Sequence, residues 1–157
     1  MKDIVVRPAA PEDADDLATS VATADYLRRY GASLDSPEAY IKRAMGSGIC
    51  LSAVVGGKAV GLVWFTDSGT LGRGGYIRLI VVKADFRGIG AGRALMSEAE
   101  RQIFEHSQHA FLLTSHFNTK AQAFYEKLGW VKSGELPGFV APDITEFLYW
   151  KKRPETE

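Results

Sequence analysis

Residues 76–82, Tyr-Ile-Arg-Leu-Ile-Val-Val, form an almost continuous apolar run of seven. A run of this kind predicts a central strand, buried on both faces rather than alternating between core and water. It is followed by Arg87-Gly88-Ile89-Gly90-Ala91-Gly92-Arg93, which opens a helix running from Gly90 to about His106. In that helix Leu95, Ala99 and Ile103 recur at i, i+4 and i+8, the spacing of one helical face.

The remaining elements follow from the same period and punctuation signals. Asp3 to Arg7 reads as a strand closed by Pro8. Pro11-Glu12-Asp13 opens a helix to about Ala24, with Ala14, Leu17, Ala18 and Val21 on one stripe. Ser36-Pro37-Glu38 starts a second helix that ends near Met45. Ile49 to Val55 and Lys58 to Phe65 are strands joined by Gly56-Gly57, a hairpin signal. Asp67 to Gly75, with four glycines, reads as a loop. Phe111 to Ser115 is a buried strand, and Asn118 to Leu128 is a helix capped by Asn118 and stopped by Gly129. Trp130 to Gly134 and Asp143 to Lys151 are the last strands. The order predicts an α+β fold with a mixed sheet. Residues 1–157 read as a single domain, with 152–157 as a frayed tail.

Composition narrows the function. The 19 basic and 19 acidic residues balance, so the basic excess of a nucleic-acid binder is missing. One cysteine, Cys50, rules out an internal disulfide framework and a multi-cysteine metal site, and it reads as a small buried apolar side chain. No apolar stretch approaches the roughly 20 residues of a membrane span. The acidic start MKDIVVRPAAPEDADD has no signal-peptide core. The expectation is a cytoplasmic protein with no metal, nucleic-acid or membrane partner.

Glycines let the backbone approach a ligand, and the N–H groups opening a helix favour an anion. Arg87 and Arg93 add positive charge on either side. The stretch lacks the Lys-Ser/Thr pair of a Walker loop. The next strand ends in Ser115-His116-Phe117-Asn118, with no acid for a dinucleotide ribose, so a nicotinamide-binding oxidoreductase is disfavoured. Glycines alone are equally consistent with a turn that only packs.

The run from Ile80 to Leu95 resembles the acetyl-coenzyme A motif of the GCN5-related N-acetyltransferase (GNAT) family, Q/R-x-x-G-x-G/A, with Arg87, Gly90 and Gly92 in the defining positions. Asn118 to Trp130, NTKAQAFYEKLGW, resembles that family's N…A…FYEKLGF segment. The resemblance covers essentially the whole chain. It implies a mostly antiparallel central sheet flanked by helices and acetyl-coenzyme A as co-substrate. It also implies pyrophosphate contacts from Arg87, Gly88, Ile89, Gly90, Ala91, Gly92 and Arg93, and pantetheine contacts along Ile80, Val81 and Val82. A backbone N–H of Val81 or Val82 is the candidate donor to the thioester oxygen, which gains charge during attack.

Asn118 and Tyr125 are seven residues apart, so they share a helix face. Spacing alone fits a core aromatic at 125 and a plain N-cap at 118. The resemblance makes Tyr125 the acid that protonates the leaving thiolate and Asn118 a cofactor contact as well as a cap. The general base stays open. The central strand offers Tyr76 and Arg78 where many relatives carry glutamate, and Asp67 is the nearest acid before it. His116, Glu146 and water are the alternatives, and a strand-end polar residue hydrogen-bonded to the loop is the simpler account of His116. His106 and His109 read as surface residues around a helix end.

The resemblance places the acceptor among the first two helices, their connection and the last strands. These offer Tyr26, Arg28, Arg29, Tyr30, Phe139 and Glu146. The implied reaction is acetyl transfer by direct attack of a primary amine of a small molecule or peptide. The alternative is a non-catalytic domain that binds acyl-coenzyme A and regulates a partner. Family habit and the apolar stretch Phe147 to Trp150, taken as an edge, imply a homodimer.

Overall fold

The computed structural model describes residues 3–22 and 37–156. They form one seven-stranded sheet with helices on both faces. The strands are β1 (Val5–Pro8), β2 (Ile49–Val55), β3 (Lys58–Thr70), β4 (Gly74–Val82), β5 (His109–Ser115), β6 (Val131–Pro137) and β7 (Thr145–Lys152). The helices are α1 (Ala14–Ala22), α2 (Pro37–Gly46), α3 (Ala91–His106) and α4 (Thr119–Lys127). Sheet order is β1-β2-β3-β4-β5-β7-β6. Every pair is antiparallel except β4–β5, which α3 joins as a parallel crossover. A sheet with one parallel pair is not the parallel array of a dinucleotide-binding domain. No helix among the described residues is long and apolar enough to cross a membrane.

Two cores sandwich the sheet. On one face Leu95, Met96, Ala99 and Ile103 of α3 and Tyr125 of α4 pack on Leu51, Ala53, Val63, Phe65 and Ile77. On the other, Ala14, Leu17 and Ala18 of α1 and Ile41 and Ala44 of α2 pack on Cys50, Leu62, Trp64, Leu79 and Val81. Cys50 is buried, as expected, and burial pushes its thiol up to about 11.

Three expectations change. The glycine-rich segment 67–75 is strand at both ends, because β3 runs on to Thr70 and β4 begins at Gly74, leaving only a short tip. Gly74 and Gly75 are there for close approach. A Cβ on Gly74 would lie 2.3 Å from the His109 carbonyl oxygen, and one on Gly75 would lie 2.6 Å from that of Thr66. Second, β7 is an inner strand between β5 and β6, so Phe147 to Trp150 is no edge. Tyr149 is fully buried and its hydroxyl donates to Glu126 Oε1 at 3.0 Å. Strand β7 also includes Lys152, and the N–H of Arg153 donates to Gln108 O, so pairing persists into the expected tail. Third, His109 belongs to β5. Its ring stacks on Trp150 and accepts from Trp150 Nε1 at 3.1 Å.

The chain's entry into α1 is fixed by Asp13. Arg7 donates to both of its oxygens at 2.7 and 2.8 Å, and the Ala10 N–H and Ser52 Oγ add bonds at 2.9 and 3.0 Å. The Arg7 bonds hold its carboxyl below the usual range against the cost of burial. Replacing it, Asp13→Asn, leaves Arg7 without its counter-charge, but Arg7 is 37% exposed and water compensates in part. The expected loss is about 2 kcal/mol at neutral pH. A carboxyl with a lowered folded pKa stabilises above its unfolded value of about 3.9 and ceases to do so as pH falls through the folded one. The denaturant-midpoint gap between wild type and Asp13→Asn should therefore close in strong acid. A gap that persists there would reject the charge-based account.

Candidate active site

Strand β4 changes direction at Arg78. Trp64 pairs with Leu79 and Phe65 with Ile77, so Arg78 has no opposite number in β3 and forms a β-bulge. Bulges bend a strand and increase its twist. The β4–β5 ladder ends at the same level, with Ile77 opposite Leu112. Beyond it β4 stays with β3 as far as Val82, while β5 stays with β7 as far as Ser115. The two central strands part and leave a cleft.

The glycine loop lies at the end of the β4 wall. A 3-10 turn, Ala84–Phe86, leads from the strand, and Arg87 Nε donates to the Val82 carbonyl at 3.3 Å. Gly90 caps α3 with φ of +97°, a left-handed conformation that suits glycine. The first intrahelical bond runs from Ala94 N to Gly90 O. The N–H groups of Ala91, Gly92 and Arg93 therefore have no helical acceptor and open at the positive end of a 16-residue helix. Ile89 and the two arginines are exposed beside them. A Cβ on Gly92 would sit 3.3 Å from the Phe124 ring, so this glycine brings the start of α3 against α4.

Helix α4 begins at Asn118, whose Oδ1 accepts from the Ala121 N–H at 3.2 Å. Tyr125, two turns on, is 7% exposed, with its ring among Phe124, Trp130 and Tyr149. Its hydroxyl has no hydrogen-bond partner among the described residues. Burial pushes the phenol well above its ordinary value, and the nearby Tyr76 adds to this.

Tyr76 precedes Ile77 and so stands on the face of β4 opposite the α3 core. Burial raises its phenol too, while Arg78 lowers it and Glu146 raises it, so both charges lie near its hydroxyl. Glu146 is 2% exposed and accepts from Ser115 Oγ at 3.2 Å. The Arg78 guanidinium lies 4.4 Å over the Trp64 ring, which Tyr40 meets edge-on at 5.7 Å. Sequence reasoning named Tyr76 and Arg78 only as replacements for a missing acid, and passed over Trp64 and Tyr40. The signal was a single charge inside an apolar strand.

The other expected residues divide. His116 is exposed on the β5–α4 turn. Its N–H donates to the Thr145 carbonyl, and its Nδ1 accepts the Thr145 N–H at 3.1 Å. Phe139 is 64% exposed on the β6–β7 turn that leads into Thr145. Asp67 lies apart, with its carboxylate 3.7 Å from His106 Nε2 and its carbonyl accepting from Ser107 at the C-terminal end of α3. Tyr26, Arg28, Arg29 and Tyr30 lie outside the described residues.

The family model for GNAT acetyltransferases matches residues 19–130. Several solved structures share the fold. Ard1 from Thermoplasma volcanium aligns with a TM-score of 0.80 at 21% identity, over 97% of this chain and 99% of that one. PH1933 from Pyrococcus horikoshii OT3 aligns with a TM-score of 0.79 at 24% identity, over 98% and 100%. An aminoglycoside 6'-N-acetyltransferase complexed with coenzyme A aligns with a TM-score of 0.78 at 19% identity, over 98% and 99%. At these identities the likeness is one of fold, whereas the sequence match takes in the bulged strand, the glycine loop and Tyr125 together. By that match the chain belongs to the acetyltransferase (GNAT) family.

Proposed function

We propose that the protein transfers an acetyl group from acetyl-coenzyme A to a primary amine of a small molecule or peptide, both substrates being bound at once. The observation that carries this reading is the parting of β4 and β5 beyond Ile77, with the α3 N-terminus following the β4 wall and Tyr125 near Tyr76 of that wall. Residues Arg87 to Arg93 hold the pyrophosphate through the unpaired N–H groups and the two guanidinium groups. Ile80, Val81 and Val82 align the pantetheine arm, and a backbone N–H of Val81 or Val82 donates to the thioester oxygen. Asn118 contacts the cofactor besides capping α4.

Tyr125 gives its proton to the departing sulfur. Its raised pKa keeps it protonated across the working pH range. It also makes donation more uphill than from an exposed phenol, since a thiol is near 8.5, so the proton moves only as charge builds on sulfur. On the other side the amine must shed a proton, because an ordinary ammonium has a pKa near 10.4. We assign that task to Glu146, acting through water. His116 is the weaker choice, because it is exposed on the β5–α4 turn and its Nδ1 is engaged with the Thr145 peptide group. Phe139 lines the acceptor end.

Acetyl-coenzyme A at 100 times its dissociation constant should stabilise the fold by about 2.7 kcal/mol in thermal-shift measurements. Gly90→Glu should abolish that gain. Since φ at this position strains any other residue, Arg93→Glu serves as an unstrained companion and should weaken the gain in the same direction. A full shift in both folded variants would exclude the loop as the phosphate site.

Tyr125→Phe should keep the ring packing, leave cofactor affinity nearly unchanged and lower kcat by roughly 10²- to 10⁴-fold. Steady-state thiol release, with cofactor binding measured in parallel, reads both quantities. A Phe variant as active as wild type would return Tyr125 to a packing role. A wild type that binds the cofactor and acetylates no acceptor would favour a regulatory acyl-coenzyme A-binding domain.

A further inference from the structure

Arg78 is an exposed charge with no counter-ion among the described residues. It is the bulge residue of β4, and its guanidinium rests 4.4 Å over the ring of Trp64, itself only 3% exposed. It makes no ion pair or hydrogen bond among the described residues. Its planar fork of five donors is thus oriented by the indole and free to bind. A second guanidinium, that of Arg43, lies 5.7 Å over Tyr40, and both cations act on the Tyr40 hydroxyl. Positive charge therefore flanks the Tyr40–Trp64 pair.

This charge is poorly placed for the cofactor's phosphates. Val82 lies four residue steps along the strand from Arg78, roughly 13 Å at 3.3 Å per step, and the glycine loop lies further on. Glu146, which accepts from Ser115 Oγ, and Arg78 both act electrostatically on the Tyr76 hydroxyl. Among the described residues, this part of the molecule thus brings the Glu146 carboxylate and a guanidinium with no ion pair, that of Arg78, to the same tyrosine.

Building on the acetyl-transfer reading, we infer that Arg78 is the specificity-determining residue of the acceptor site, binding a carboxylate on the acceptor while Glu146 faces its amino group. The preferred acceptor is an amine that also carries a carboxylate, such as an amino acid or an acidic peptide. A polycationic amine would place a surplus positive charge against Arg78.

The test uses ω-amino acids and acidic dipeptides, each with its primary amide, and diamines of matching length. Binding is measured by isothermal titration to the full chain in the presence of coenzyme A. The best acid should bind about tenfold or more tightly than its amide, as a charge-assisted bidentate contact allows. In Arg78→Gln the acid-to-amide ratio should fall towards one, and Arg78→Lys should keep part of it. Amides or diamines that bind as tightly as the acids, or a preference that survives Arg78→Gln, would overturn the inference. Thiol release on the same panel separates the two readings. Acid preference in binding, with no acceptor turned over, would support anion recognition and reject acetyl transfer. Equal turnover of acids and diamines would do the reverse.

Discussion

The site depends on one unpaired residue in the middle of the sheet. Because Arg78 has no partner in β3, the alternation of β4 reverses across it. Ile77 faces the α3 core, Leu79 and Val81 face the α1–α2 core, and Ile80 and Val82 return to the α3 side. Both cores are filled by one strand while that strand bends away from β5. A regular strand with the same residues would place Ile77, Leu79 and Val81 on one face and continue its ladder into the space where the cleft now lies.

The wall opposite β4 is held by the sheet rather than by a loop. Helix α4 is tied to β7 by the Tyr149 hydroxyl on Glu126 and by Lys151, which donates to the Leu128 carbonyl at 2.7 Å and to Glu100 at 3.0 Å. Trp130 Nε1 joins the same carboxylate at 2.8 Å, which links α3 to the start of β6. Tyr125 therefore projects from a fixed helix, as a positioned proton donor requires. Tyr76 lies between the two halves, close enough to Tyr125, Arg78 and Glu146 for their charges to interact.

Periodicity and punctuation made most of the fold legible. The stripe Leu95, Ala99, Ile103, the glycine link at 56–57 and the cap at Asn118 each specify local structure, and local structure is what sequence encodes most directly. Gly74 and Gly75 misled because a glycine needed for close approach looks the same as one needed for a turn, and only the neighbouring strand distinguishes them. Phe147 to Trp150 looked like an edge because strand order, unlike strand identity, is a long-range property. The glycine loop and the Asn118–Tyr125 helix could be singled out because each is contiguous in sequence. The grouping of Tyr40, Trp64 and Arg78 could not, because they come from three separate elements and meet only after folding, and Glu146 and Arg78 were named singly rather than together.

The burial of Cys50 bears on how this protein can be assayed. Its thiol titrates near 11, so under native, mildly alkaline conditions it stays protonated and covered. A thiol-reactive dye added to the working protein would then report the released coenzyme thiol without a contribution from the polypeptide. A denaturing quench would instead uncover one extra reactive sulfur per chain. The same shielding covers this one sulfur against oxidants in the native state.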